Sequence, residues 1–352
     1  ADAVSSSSSS PSCKKSSSFI IHKSFDDDII NRYDAFILDQ FGVLHNGRNA
    51  LPGAVECVKA LHKAGKLLII LSNTSSPAEV ALSKLPTYGF SSDLFVGGAV
   101  TSGEEASRYI KENYGNNNKK EITSKAYMMT WDASVGRPHP NQFLEKCGTN
   151  IAVASSIKEA DFLLLHGSEV LYTNNNNNNE KGLFVSLQPY FNTGSMKETI
   201  DPILKDCLSA NLPAVCANPD EIVVTPTGGT AYMPGKIAKR YIELGGKCKF
   251  FGKPQPEHFQ ACVDKLKDLV LNFTEEKASL RICHVGDSLH HDIKGANECG
   301  DGIDTVFVTS GIHSQKDFKG TSFGELPSKN NLQILFDKEQ ITPTHVVSAF
   351  RI

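Results

Sequence analysis

The chain has 352 residues, 40% of them hydrophobic, enough for one large or two ordinary domains with a sizeable core. Its 36 basic and 39 acidic residues leave a net charge of -3, which offers no broad basic field for nucleic acid and no polybasic patch for a membrane surface. No apolar run approaches the roughly 18 residues of a spanning helix. The nine cysteines are scattered without a CxxC pair, as expected of reduced thiols rather than a disulfide frame or zinc site.

Residues 1–18 are Ser-rich and read as a disordered terminus. A transit peptide is the sharper alternative; the lack of arginine in the segment and of an initiator Met weighs against it. A short helix from Phe25 to Ile30 leads into the apolar run Ala35-Phe36-Ile37-Leu38, which reads as a buried parallel strand ending at Asp39. A helical stripe between Pro52 and Gly65 follows. Next comes a strand from Lys66 to Thr74, a helix from Pro77 to Leu85, a short strand Leu94-Phe95-Val96 and a helix from Ser102 to Asn113. Strands alternating with helices predict an α/β, Rossmann-like, doubly wound parallel sheet.

The pattern changes after a polar loop at Asn116 to Lys120. Strands are expected at Ala126–Met129 and Phe162–Gly167, an asparagine run occupies Asn174 to Asn179, and a helix spans Asp201 to Ala210. Pro213 to Asp220 reads as a strand with a turn. Residues 117–225 are therefore expected to be an inserted α/β domain, with residues 19–116 and 226–352 forming the core. The alternation returns with a helix at Lys236 to Leu244, a strand at Lys249 to Pro254 and a helix at Pro256 to Leu269. It closes with a strand at Arg281 to Ser288, a helix at Asp292 to Cys299 and a strand at Asp304 to Val308.

Four expected core strands end in polar residues: Asp39, Ser72-Asn73, Lys253, and Gly286-Asp287 with Asp292 beyond. Taken singly, each has a plain explanation. Asp39 alone reads slightly better as a turn or capping acid, Ser-Asn as a helix cap, and Gly-Lys-Pro and Gly-Asp-Ser as turns. As a set they differ, because parallel strands all end on one edge and that edge is where ligands bind. A carboxylate there can act as nucleophile and carry a phosphoryl group. Lys253 can offset charge and Ser72 can donate hydrogen bonds. Asp39, Asp287 and Asp292 suit a Mg²⁺ ion.

The segments Asp39-Gln40-Phe41-Gly42-Val43, Ser72-Asn73, Gly252-Lys253-Pro254 and Gly286 to Ile293 resemble the four motifs of the haloacid dehalogenase superfamily, whose members are mostly Mg²⁺-dependent phosphatases. The insert resembles the larger cap type of that superfamily. Asn218-Pro219-Asp220 and the run from Gly302 to Gly311 look like its NagD-like and 4-nitrophenylphosphatase-like branch, subfamily IIA. The resemblance covers residues 33 to 315. It implies Asp39 as nucleophile and metal ligand, the Phe41 carbonyl as a second ligand, and Asp287 and Asp292 as further ligands. Ser72 and Asn73 match the phosphate cradle, and Lys253 the cation that steadies nucleophile and phosphate. Asn218 and Asp220 match a turn close to the cap–core junction and are expected to help bind substrate.

One position departs from the family pattern. The general acid/base Asp usually found two residues after the nucleophile is here Phe41, which cannot move a proton. The expectation is a Mg²⁺-dependent phosphatase acting on a small phosphorylated metabolite, slow or dependent on a good leaving group. His45, His290 and His291 are substitute acids to be weighed, each reading better as structural or solvated. The alternative is a protein of the same fold that binds a phosphorylated ligand in a regulatory role. Dehalogenation is disfavoured, because it has no use for Asp287 and Asp292. No nucleic-acid or membrane partner is expected. The reading admits a homodimer through the cap, and the expected location is cytoplasmic, with organelle targeting left open.

Overall fold

The computed structural model describes residues 18–115, 124–174, 182–225, 229–271, 279–300 and 302–352. The expected disordered terminus before residue 18, the loop at 116–120 and the asparagine run beyond Asn174 lie outside these residues. In chain order the strands are β1 (Ile20–Ile21), β2 (Ala35–Leu38), β3 (Leu67–Ser72), β4 (Ala99–Thr101), β5 (Ser124–Thr130), β6 (Ile151–Val153), β7 (Phe162–Leu165) and β8 (Val170–Thr173). They continue with β9 (Leu183–Ser186), β10 (Ala214–Cys216), β11 (Ile222–Val224), β12 (Thr230–Tyr232), β13 (Cys248–Phe250), β14 (Ile282–Gly286), β15 (Asp304–Val308) and β16 (His345–Val347).

Seven strands form a core sheet in the order β1-β16-β15-β14-β2-β3-β4, with every pair parallel. Its central strands β2 and β14 are fully buried and, apart from His284, carry no polar side chain, as a sheet covered by helices on both faces demands. The helix Ala54–Lys63 buries Ala54, Cys57, Val58 and Leu61 as one stripe against one face. The helix Pro256–Leu271 covers the other face with Phe259, Cys262, Val263 and Leu266. The chain runs from β2 to β3 on one side and from β14 to β15 on the other. The crevice between β2 and β14 is thus the switch point of the sheet, where ligands bind in open α/β folds. Val285 lies beside Leu38 in the register, so Asp39 and Asp287 leave the sheet almost side by side.

A second, mixed sheet runs β13-β10-β7-β5-β8-β9, with β6 attached to β5. It is wider than the expected insert at 117–225. The helix Ser102–Tyr114 packs Ala106 and Ile110 against residues of this sheet such as Ala126 and Phe162. The helix Pro234–Glu243 buries Ile237, Ala238 and Tyr241 against its other face. Strand β13 was expected in the core sheet, yet it pairs in parallel with β10. A three-residue strand with half-exposed flanks carries too little pattern to say which sheet it joins. The expected strand at Leu94–Val96 is also corrected. Residues Ser92–Leu94 form a 3₁₀ turn, and the strand begins after Gly97-Gly98 at Ala99. Among the described residues no helix is long and apolar enough to cross a membrane.

Candidate active site

Asp39 follows β2 and is 7% exposed. Its Oδ1 lies 2.6 Å from the Lys253 Nζ. The same ammonium lies 2.7 Å from Asp292 Oδ1. Asp292 is held from two further sides: His284 Nε2 donates to Oδ1 at 2.9 Å and the Ser288 amide donates to Oδ2 at 3.0 Å. Asp287 accepts a 2.7 Å hydrogen bond from the Ile312 amide. Asp39, Asp287 and Asp292 each bring a carboxylate oxygen within 4.8 Å of the others.

Glycines make room for this crowding. A Cβ on Gly42 or Gly311 would overlap the Asp287 carboxylate, and one on Gly286 would overlap Asp292. Gly42 also has φ 87°, a conformation that glycine adopts without strain.

Electrostatics separate the three acids. Burial, opposed by Lys253 and reinforced by the Asp292 charge, pushes the Asp39 carboxyl up to about 7. Burial and then the charges of Asp39 and Asp292 push Asp287 well above the carboxylate range. Burial acts to raise Asp292 as well, but the Lys253 ammonium and the His284 hydrogen bond outweigh it and hold it below its ordinary value. Burial keeps His284 neutral. Burial would lower Lys253, yet Asp292 and Asp39 together hold it charged. Fully ionised, three carboxylates around one ammonium leave negative charge uncompensated in a buried place. A hard divalent cation with oxygen ligands fits that donor set, and the raised acids are the ones it would pull down.

Lys253 does not end a core strand. It stands on the loop that returns from β13, and the loop is clamped in place. Asn73 Oδ1 accepts from the Lys253 amide at 2.7 Å, and Asn73 Nδ2 donates to the Lys253 carbonyl at 3.3 Å. Gly252 has φ 109° and donates its amide to His258 Nε2 at 2.9 Å. The Asn73 amide also donates to Asp220 Oδ1 at 2.8 Å. Asn218 Oδ1 in turn accepts from the Asp220 amide at 3.0 Å, so this turn closes the second sheet's return onto the core. The Asn73 side chain is thereby engaged in holding Lys253 and Asp220. Ser72 is the last residue of β3, and its hydroxyl accepts from the Thr74 amide at 3.3 Å.

Phe41 is half-buried, and its ring meets His45 edge-on with centroids 6.2 Å apart. His45 stacks on Tyr88 at 4.1 Å and is driven down to about 4 by burial, then by Lys84. His291 Nδ1 lies 3.4 Å from Asp220 Oδ1, at the edge of the site. His290 does not join them; it pairs with Glu339 at 2.9 Å.

Sequence reasoning missed His284, His258 and Trp131. His284 could have been flagged as a polar residue inside an otherwise apolar strand, two residues before Gly286. Trp131, which follows β5, donates to the Ser75 hydroxyl at 2.8 Å and ties the second sheet to the loop after β3; nothing in the sequence marks it.

A family model described as haloacid dehalogenase-like hydrolase matches residues 36–134, and a HAD-hydrolase-like model matches residues 250–329. A 4-nitrophenylphosphatase from Schizosaccharomyces pombe is 25% identical over 306 residues, 82% of this chain and 88% of that protein. Among solved structures, a haloacid dehalogenase-like hydrolase from Brucella suis 1330 aligns with TM-score 0.65 and 21% identity over 92% of this chain and 97% of that one. A p-nitrophenyl phosphatase from Archaeoglobus fulgidus aligns with TM-score 0.58 and 19% identity, covering 91% of this chain and 97% of its own. The two model matches take in Asp39 with Ser72 and Lys253 with Asp287 respectively, and the chain belongs to the haloacid dehalogenase-like hydrolases.

Proposed function

We propose that the chain is a Mg²⁺-dependent phosphatase that acts on a small phosphorylated metabolite through a phosphoryl-aspartate on Asp39. The observation that carries this is the buried triad of Asp39, Asp287 and Asp292, with Lys253 bridging Asp39 and Asp292, at the switch point of the sheet. The similarity to chains named 4-nitrophenylphosphatase and p-nitrophenyl phosphatase supports it.

In this reading the free oxygen of Asp39 attacks phosphorus, the bond to the leaving oxygen breaks, and that oxygen departs with the electron pair. Water then hydrolyses the acyl phosphate and returns the Asp39 carboxylate. Lys253 holds the nucleophile in its charged form and faces the charge that develops on the phosphoryl oxygens. In the same reading Ser72 and the backbone amides after β3 donate to those oxygens. Asp39, Asp287, Asp292 and the Phe41 carbonyl would hold Mg²⁺, which when bound supplies charge neutralisation between nucleophile and phosphate. The second sheet carries substrate selection, with Asn218 and Asp220 setting its seat on the core.

Phe41 decides which esters turn over. A nitrophenolate leaves without a proton, whereas an alkoxide needs one. The test is hydrolysis of an aryl phosphate and of an alkyl phosphate with and without Mg²⁺. Metal-dependent turnover of the aryl ester and very weak turnover of the alkyl ester are expected. Phe41→Asp should raise the alkyl rate, by less than the roughly 10²–10⁴-fold that one proton-transfer group contributes.

Phe41 also supports a second reading, a phosphate-ligand-binding protein without efficient turnover. Tight phosphoester binding with no hydrolysis of either ester would establish it in place of the first.

A further inference from the structure

On the edge strand of the core sheet, at the residues that follow β1, lies a second cluster that the phosphatase reading does not use. His22, Asp26 and Asp28 each present one ligand atom within 4.8 Å of the other two. Tyr33 stands just before β2 and Asp39 just after it, so this cluster's support lies roughly 20 Å from the catalytic acids at ~3.3 Å per residue.

A chain of hydrogen bonds sets the state of His22. The Tyr33 hydroxyl donates to Asp304 Oδ2 at 2.9 Å. Tyr33 has one proton, so at its 2.7 Å contact with His345 Nε2 it must accept, and His345 is protonated on Nε2. Neutral His345 then offers a bare Nδ1. His22 Nε2, 3.0 Å away, is the donor to it. Neutral His22 is left with its own Nδ1 unprotonated. That lone pair faces Asp26 Oδ1 at 3.7 Å, beyond hydrogen-bond reach.

Two independent features of Asp26 and His22 complete the case. Asp26 occupies the position from which a carboxylate would cap the helix Asp27–Ile30, yet its side chain makes no such bond. Its Oδ1 is enclosed, and no hydrogen bond reaches it. His22 is 8% exposed, so its ring is a buried group with its free nitrogen aimed at that oxygen. Two lone pairs turned toward each other, with the second carboxylate, Asp28, at hand, are satisfied by a cation. An imidazole whose other nitrogen donates into a fixed acceptor is the usual arrangement of a metal ligand.

We propose that His22, Asp26 and Asp28 bind a second divalent cation, and that it clips the segment carrying β1 to the sheet. One imidazole nitrogen and two carboxylates, with open positions for water, favour an ion of the zinc class over Mg²⁺. Strand β1 has two residues at the edge of the sheet and gains little from pairing alone.

The test is to count Zn²⁺ or Co²⁺ equivalents on the full chain by equilibrium dialysis and to follow melting with and without Zn²⁺. Wild type should bind one equivalent more than His22→Ala, and only wild type should show the corresponding zinc-dependent rise in melting temperature. His22→Ala should leave hydrolysis of an aryl phosphate unchanged. Asp28→Asn, on an exposed side chain, should also weaken the extra site and decides the matter if His22→Ala does not fold. Tyr33→Phe, which frees the relay, should lower its affinity about 10–100-fold while keeping the stoichiometry. Equal stoichiometry in wild type, His22→Ala and Asp28→Asn overturns the proposal. So does a loss of stability in His22→Ala that is the same with and without zinc, since that describes an ordinary His–Asp pair.

Discussion

At the C-terminal edge of the core sheet three carboxylates crowd one ammonium. At the N-terminal edge a tyrosine, a histidine and a single carboxylate, joined by His22 from the end of β1, form a chain of hydrogen bonds in which each donor has an acceptor. The same strands, β2, β14 and β15, connect the two edges. The first edge holds charge that its own residues do not balance, and it does so because Gly42, Gly286 and Gly311 remove the side chains that would keep the acids apart. The second is balanced down to the last proton and leaves only Asp26 and His22 looking outward. Local conflict is tolerated where chemistry is done and resolved where the sheet is held together.

The largest test of that contrast is Asp39→Asn. Loss of the proposed nucleophile should lower hydrolysis by on the order of 10⁴–10⁶-fold. Because it also removes one of three mutually repelling carboxylates, thermal stability should be unchanged or higher. A variant that loses activity by unfolding would mean that the acids are compensated and the edge is not strained.

Lys253→Met probes the same edge from the other side. It leaves Asp39 and Asp292 buried without their shared cation, and breaking a buried pair in this way costs about 3–5 kcal/mol. Denaturant titration of the metal-free protein measures it. The loss should shrink when divalent cation is added, since the ion then takes over part of the compensation. A cost below about 1 kcal/mol would show that water already screens the cluster.

Tyr33→Phe is the matching change at the opposite edge. It strands the His345 N–H and one Asp304 oxygen, and should cost about 1–3 kcal/mol with kcat unaltered. Equal effects of Tyr33→Phe and Lys253→Met on turnover would erase the division between the edges.

The two edges also differ in how far the sequence exposes them. The C-terminal edge is legible because each exit is an abrupt change from an apolar run to a polar residue, and because parallel strands must end together. Asp39, Asp287 and Asp292 follow from that alone. Lys253 is legible as a residue but not as a placement: its strand β13 belongs to the second sheet, and the lysine reaches the acids only because Asn73 clamps its backbone. The width of the second sheet is hidden for a related reason. The helices Ser102–Tyr114 and Pro234–Glu243 are ordinary amphipathic stripes, and a stripe does not say which sheet it covers. The N-terminal edge is not legible at all. His22 and His345 lie almost a chain length apart, and strands of two and three residues bring them together without any periodic signal.

The smallest expected effect concerns the support behind Lys253. His258 Nε2 accepts the Gly252 amide proton, so the ring must be protonated on Nδ1 and neutral. Burial, partly offset by the neighbouring Glu257 charge, lowers it to about 4, against about 6.5 for an exposed histidine. The unfolded chain therefore binds a proton at this residue from pH 6.5 downward while the folded chain does not. With more protons bound in the unfolded state, stability rises with pH. The contribution is complete above about pH 6.5 and is lost as pH falls toward 4, with a slope of at most ~1.4 kcal/mol per pH unit for this group. His258→Gln keeps an oxygen that can accept the Gly252 amide but removes the titration. Its stability–pH profile from denaturant titrations should be flatter than that of wild type across this window, and the two should run parallel above pH 7. Identical slopes between pH 4 and 6.5 would show that the ring opens to solvent when protonated, and that the loop carrying Lys253 is held by Asn73 without help from His258.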